Sequence, residues 1–343
     1  MFPARRLLIS DIRANRLMAH VLLLGAGFSR NWGGWTTDEV FGDLAGRVSD
    51  DAFLQSLLNR STTYEDALAK VQNDYVRLGD HDTRARLDQL QSAIRATFDE
   101  MNLGFAQLVN FEFQNPPQVT TSVSTFLAQF DAIFTLNQDL LLELHYFNNG
   151  HMVLRPNKWS GYALPGTEPV FNPSSPFPRD RTKEKLRVTS GPFSVSSRLQ
   201  PYYKLHGSTD WVDHEGSPLL VMGGNKIGAI QRHPILTWYS NELSRYLTQP
   251  NTRLMVIGYG FKDSHINNLI CEAAQRSQLQ VFIVNTDGRH AIKKANPTYG
   301  APIYCPEAIE EIALIGESMR QLSETFSGKD TVEHRKLMRF FRA

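Results

Sequence analysis

Residues 19–30, Ala-His-Val-Leu-Leu-Leu-Gly-Ala-Gly-Phe-Ser-Arg, constrain the fold more than any other stretch of this chain. The apolar run Val21 to Leu24 ends in Gly25-Ala26-Gly27, and Phe28-Ser29-Arg30 then leads into a loop rich in glycine and tryptophan. A buried parallel strand reads this way when it delivers a phosphate-binding turn at its carboxyl end, because glycine lets the backbone approach an anion closely. The same pattern fits a tight turn before a packed helix, and arginine occupies position 30, where the dinucleotide fingerprint has its third glycine. A nucleotide site is the first expectation, and later segments decide between the two.

Those segments alternate. Thr36-Thr37-Asp38-Glu39 reads as a capping box that starts a helix running towards Arg47. Residues 48–125 show little strand character, and Leu87, Leu90, Ile94, Phe98 and Met101 recur at helical spacing, so a helical insertion is expected there. The sheet resumes at Asp131 to Thr135, followed by Leu136-Asn137-Gln138-Asp139 and a leucine-rich helix to about Phe147. Residues 148–200 are dense in proline, glycine, serine and arginine and read as a long loop excursion, with short strands at Met152 to Leu154 and Pro169 to Phe171.

Further strands are expected at Tyr202 to Gly207, with Ser208 to Trp211 turning away, and at Leu219 to Met222, Arg253 to Ile257 and Gln280 to Val284. An amphipathic helix is expected over Pro234 to Thr248, and another begins at a cap formed by Asp263 or Ser264. Residues 306–343 read as closing helices broken at Ser327-Gly328. Strands alternating with helices predict a single α/β domain over 1–343, with a Rossmann-like, doubly wound, mainly parallel sheet and a helical insertion.

Composition narrows the partners. Thirty-six Lys plus Arg against 35 Asp plus Glu leave a formal charge of +1, so no global field points to direct nucleic-acid or membrane binding. No apolar stretch approaches the roughly 18 residues of a membrane span, the first residues lack a secretory signal pattern, and a cytoplasmic location is expected. The arginine-bearing segment Met1 to Met18 reads as a short packed helix or an oligomer arm. Two cysteines, Cys271 and Cys305, are too few for a disulfide framework or a four-thiolate zinc site.

In a doubly wound sheet the ligand sits at the carboxyl ends of the strands, so residues just after each apolar run should converge. Gly25, Ala26 and Gly27 with Gly258, Tyr259 and Gly260 could line phosphates. Asn285 and Asp287 offer acceptors to ribose hydroxyls, and Asn137, Asp139 and His206 are polar groups for the reacting end. Each also has a plainer reading: Asn137-Gln138-Asp139 as a helix cap, His206 as a core histidine, Asn285-Thr286-Asp287-Gly288 as an ordinary turn.

Taken in order, Gly25-Ala26-Gly27-Phe28-Ser29, Phe134-Thr135-Leu136-Asn137-Gln138-Asp139, Lys204-Leu205-His206-Gly207-Ser208-Thr209-Asp210-Trp211 and Gly258-Tyr259-Gly260-Phe261-Lys262-Asp263-Ser264-His265-Ile266 resemble the successive motifs of sirtuin-like domains. They resemble most the bacterial branch found in anti-phage defence systems. The resemblance implies that Gly25, Ala26, Gly27, Phe28 and Ser29 cradle the phosphates of NAD and that Asn137 and Asp139 face the nicotinamide and its ribose. It further implies that His206 is the catalytic histidine and that Asn285 and Asp287 lie by the adenosine ribose.

Two departures bear on activity. The Pro-Asp-Phe-Arg stretch of protein deacylases is replaced by Asn31-Trp32-Gly33-Gly34-Trp35, and the four cysteines of their zinc ribbon are missing. Both concern handling an acylated peptide, which shifts the expectation to an NAD glycohydrolase with NAD as substrate and no metal. A non-catalytic NAD- or ADP-ribose-binding module and a zinc-free deacylase are the alternatives. By the same resemblance the expected setting is an NAD-depleting effector in abortive infection. It would be a homo-oligomer beside a separately encoded ATPase or helicase of the HerA type, or another defence sensor.

Overall fold

The computed structural model describes residues 18–113, 122–147, 159–170, 182–294 and 308–342. Seven strands form the main sheet in the spatial order β11-β10-β9-β1-β2-β6-β3, where β1 is His20–Leu24, β2 Ala132–Thr135, β3 Gly161–Ala163, β6 Leu199–Lys204, β9 Arg253–Ile257, β10 Gln280–Val284 and β11 Leu314–Ser318. Every pairing in it is parallel. Strands β4 (Thr167–Pro169), β5 (Leu186–Val188), β7 (Gly207–Val212) and β8 (Pro218–Leu220) make a second, smaller sheet in the order β4-β5-β7-β8. The Rossmann-like α/β expectation is met.

β1 is apolar throughout because both of its faces are covered. Leu22 and Leu24 point into one core with Val40, Leu44, Leu90, Ile94 and Phe126, and Val21 and Leu23 into another with Leu236, Leu243, Ile266 and Ile270. After the short α1 (Ala26–Ser29), the first core is roofed by α2 (Thr37–Arg47), α3 (Ala52–Asn59), α4 (Tyr64–Leu78) and α5 (His81–Ala106), with the short α6 (Val123–Leu127) behind them. The helical insertion is therefore one layer of the sandwich. On the other face lie α8 (Lys226–Arg232), α9 (Pro234–Leu247), α10 (Ser264–Arg276) and the short α11 (His290–Lys294).

Local signals explain the helix ends. The backbone N–H of Thr36 donates to Glu39 at 2.8 Å, as the capping box requires, and Pro234 occupies the first turn of α9, where its missing N–H has no intrahelical partner to lose. Asp263 stands at the cap position of α10, but its side chain makes no capping bond because its carboxylate is drawn to Lys226. The leucine-rich helix after β2 is only α7, Leu141–His145.

Three segments differ from expectation. Within 148–200, read as a loop excursion, the described residues carry the strands β3 and β5 as well as β4. Ser208 to Trp211 do not turn away but continue as β7, whose first residue Gly207 sits at φ +76° with a neighbouring carbonyl where its Cβ would be. The stretch read as one closing helix over 306–326 contains a π-helical turn at Ala308–Ala313, the edge strand β11 and the four-residue α12 (Leu322–Thr325). Gly316 explains the strand: the ring of Phe282 on β10 fills the space a Cβ would take. Of the strand expected at Pro169 to Phe171, only Pro169 belongs to β4, which begins earlier at Thr167, and Val170 is outside it; Phe171, Met152 to Leu154, the segment before Met18 and Cys305 lie outside the described residues. The second helix of the closing pair is α13 (Thr331–Met338), extended by a 3-10 turn.

Candidate active site

The sheet reverses its direction of growth at β1: the chain moves to β2 and β6 on one side and returns to β9 and β10 on the other. Ligands bind outside the carboxyl ends of the strands at such a switch point. Register aligns those ends, because Leu24 pairs with both Thr135 and Ile257, Thr135 with Lys204, and Ile257 with Val284. A cavity of about 630 Å³ opens there, within the ~300–1,000 Å³ typical of small-molecule and cofactor sites.

Gly25, Ala26, Gly27, Asn137, Asp139, His206, Gly258, Tyr259, Gly260, Asn285 and Asp287 all line this cavity. Phe28 and Ser29 do not. Phe28 is a core residue, and Ser29 is 2% exposed, its hydroxyl receiving a bond from Asn137 Nδ2 (2.9 Å) and donating to Asp139 Oδ2 (2.8 Å).

The glycine loops meet each other. Gly27 N–H donates to Gly258 O at 2.9 Å, and a Cβ on Gly258, at φ +65°, would lie 2.3 Å from the Phe28 nitrogen. Gly25 N–H donates to Ile257 O, and Phe28 N–H to Gly25 O. Three amides of the loop thus hold protein carbonyls. Glycine is required here by loop-to-loop packing as well as by any anion. Arg30, Lys226, Lys262 and Arg320 bring cationic side chains to the cavity, and none of them carries a local signal in the sequence.

Asn137 is fixed without ambiguity of its amide. Its Nδ2 donates to Gly25 O at 3.1 Å and to Ser29 Oγ, and a carbonyl can only accept, so Nδ2 must face the loop. Both amide hydrogens are engaged, which leaves Oδ1 as an acceptor. Asp139 takes Ser29 on one oxygen and the Leu141 amide (3.1 Å) on the other, and burial pushes its carboxyl up against the lowering pull of Lys204. Beneath it, Lys204 Nζ bonds Asp139 O (2.5 Å) and Glu143 Oε1 (2.7 Å), with both side chains buried.

His206 is 3% exposed. Its Nε2 stands 3.1 Å from Nε2 of His265, a residue quoted with its motif but given no role from sequence. Burial lowers the His206 pKa to about 3, with Asp263 opposing and Lys226 and His265 assisting, so the ring is neutral at pH 7. His265 is lowered too, again mainly by burial. Asp263 is held well below the carboxylate range: burial works the other way, but Lys226 at 2.6 Å outweighs it. Lys226 also pairs with Glu65 of α4 at 2.8 Å, tying the insertion to the site.

His206, Asp263 and His265 place one ligand atom each within 4.8 Å of one another, the donor set of a small metal site. The Lys226 ammonium already neutralises Asp263, so we assign no cation there. On the opposite wall, Asn285 Nδ2 donates to Tyr259 O (3.1 Å) and its Oδ1 receives the Asp287 amide (2.9 Å), forming a turn that presents Thr286 and Asp287 to the cavity.

A doubly wound, Rossmann-like α/β sheet with a polar cavity at its switch point is the class of fold and site seen here. The model of the SIR2-like domain family matches residues 131–300, which run from β2 past β10 and include Asn137, Asp139, His206, His265, Asn285 and Asp287. That match supports a sirtuin-like domain, and SIR2-like proteins use NAD as substrate. No curated protein matches the chain. No helix among the described residues is long and apolar enough to cross a membrane.

Proposed function

We propose that the protein is an NAD glycohydrolase that releases nicotinamide and ADP-ribose. The observation that carries this reading is the convergence of Asn137 and His206 on one cavity, Asn137 with Oδ1 left as an acceptor and His206 neutral. Nicotinamide leaves a cationic ground state as a neutral ring, so the reaction needs no strong general acid. The site must instead stabilise an oxocarbenium-like ribose and aim a water at its anomeric carbon.

Asn137 Oδ1 accepts a hydrogen bond from that water or from a ribose hydroxyl. His206 accepts the proton; its low pKa makes it a weak base, but an oxocarbenium ion is attacked by water that is only slightly deprotonated. Asp139, through lone pairs left after Ser29 and Leu141, receives the nicotinamide carboxamide. Arg30, Lys262 and Arg320 meet the pyrophosphate, and Asn285 and Asp287 the adenosine ribose.

The setting follows from the resemblance of the motifs: a homo-oligomeric, NAD-depleting effector of anti-phage defence, working in the cytoplasm with a separately encoded ATPase or helicase of the HerA type or another sensor. For the site, Asn137→Ala and His206→Ala should each lower nicotinamide release about 10²-fold or more while ADP-ribose binding by calorimetry stays within a few-fold. Wild-type turnover in either variant contradicts the assignment. ADP-ribose binding by a wild-type chain that never turns over favours the binding module.

A further inference from the structure

His265 is the second residue of α10, and the protein brings its Nε2 to 3.1 Å from that of His206, the rings tilted by 44°. Two ring nitrogens at that distance cannot meet lone pair to lone pair, so one carries a proton and the other accepts it. With both rings neutral, each has a single N–H, and the choice of donor decides what His206 can offer to the cavity it lines. If His206 donates from Nε2, its Nδ1 holds a lone pair; if it accepts, Nδ1 carries the hydrogen and His206 cannot take a proton there.

We infer that His265 is a positioning residue of this reaction: its Nε2 accepts the Nε2–H of His206 and so fixes the tautomer whose Nδ1 is the base. The inference rests on the glycohydrolase reading of the site. It assigns His265 the task an aspartate performs behind the histidine of a serine-protease triad, holding tautomer and ring orientation. In the step itself, the water oxygen bonds to ribose C1′ as the C1′–N bond breaks and its electron pair returns to the nicotinamide ring, which leaves neutral. The water proton passes to His206 Nδ1 and then to solvent. While His206 is charged, its Nε2–H remains on the His265 lone pair.

Among the groups packed around the pair, Asp263 favours a transient cation on His206, whereas burial and Lys226 oppose it. Asp263, at the cap position of α10, offsets it; Lys226 holds Asp263, and Glu65 holds Lys226. This chain of ion pairs starts on α4, so the helical insertion helps to seat His265. Asp263 gives up its ordinary helix-capping bond to take part.

The test compares His265→Leu, which removes the acceptor, with His265→Gln, whose Oε1 can accept the same N–H, in the full chain. For His265→Leu we expect kcat to fall about 10²-fold with KM unchanged within about threefold, and for His265→Gln most of kcat to return. Long-range proton–nitrogen spectra of histidine-labelled protein, with His206→Asn for assignment, should show His206 as the Nε2–H tautomer in wild type and not in His265→Leu. A His265→Leu enzyme with wild-type kcat, or the same His206 tautomer in both, overturns the inference. The spectra decide even for a chain that turns over only beside a partner. Loss of activity in His206→Ala alone leaves the glycohydrolase reading standing, whereas wild-type activity in His206→Ala removes that reading first.

Discussion

Gly258 shows how a single residue can be legible for only part of its reason. The pattern Gly-x-Gly after an apolar strand marks a special backbone, and from sequence alone it reads as phosphate approach. In the folded chain Gly258 is also needed because β9 and β1 deliver two loops into contact, where its Cβ would overlap the Phe28 nitrogen. Which loop touches which is tertiary information that no local window holds. Gly258→Ala should therefore lower stability by about 2–4 kcal/mol through a left-handed side chain and overlap together, read as a fall in melting temperature. An unchanged melting temperature would contradict that packing.

His206 makes the same point about protonation. The exposed value of about 6.5 suits a base near neutrality, but burial moves the folded pKa to about 3. Above pH 6.5 the ring is neutral in both states. Below it, the unfolded chain takes up a proton that the folded one refuses, so stability is lost progressively as pH falls from about 6.5 towards 3. His265, facing the same Asp263 and Lys226, acts in the same direction. Melting temperature should be flat between pH 7 and 8 and fall steadily from 6.5 to 4, and His206→Asn should reduce the slope; a flat profile to pH 4 would count against a buried neutral pair.

At the scale of elements, the strands that became the sheet's centre were the readable ones. β1, β2, β9 and β10 are continuous apolar runs because both faces are buried, and their carboxyl ends could be located to the residue. β7 and β11 were missed for opposite reasons. β7 is polar at half its positions, and β11 has two exposed or half-buried isoleucine and leucine positions that mimic a helix face. Helices α2 to α5 were legible as a class from their spacing and caps, but not that α4 would reach the site through Glu65.

Lys204 of β6 pins α7 to the sheet through Glu143, and both side chains are shut from solvent. Lys204→Met leaves Glu143 buried without its cation, costing about 3–5 kcal/mol, and a second change, Glu143→Leu, should recover much of the loss. Chemical denaturation of the single and double variants checks this, and a double variant no better than Lys204→Met would show that the charge pair is not what matters. Because Lys204 also holds the Asp139 carbonyl, the single variant should weaken ADP-ribose binding as well.

For the whole molecule, the architecture and the position of the cavity were both available from the order of motifs, since a switch point collects whatever follows the central strands. What composition could not supply is how the polar groups are already engaged: Ser29 bridging Asn137 and Asp139, and the loop amides held by carbonyls. The account also expects self-association, as an effector that assembles around a sensor would. Light scattering on the full chain at micromolar concentration should give a mass at least twice the 38.9 kDa of one chain, and a monomer would remove the oligomer from the proposal.

The most direct measurement is chromatography of NAD incubated with the purified full chain, alone and with an acetylated peptide. The glycohydrolase account predicts nicotinamide and ADP-ribose in equal amounts, at a rate the peptide does not change. NAD that binds saturably yet is recovered intact, or nicotinamide that appears only with the peptide and together with acetyl-ADP-ribose, would contradict it.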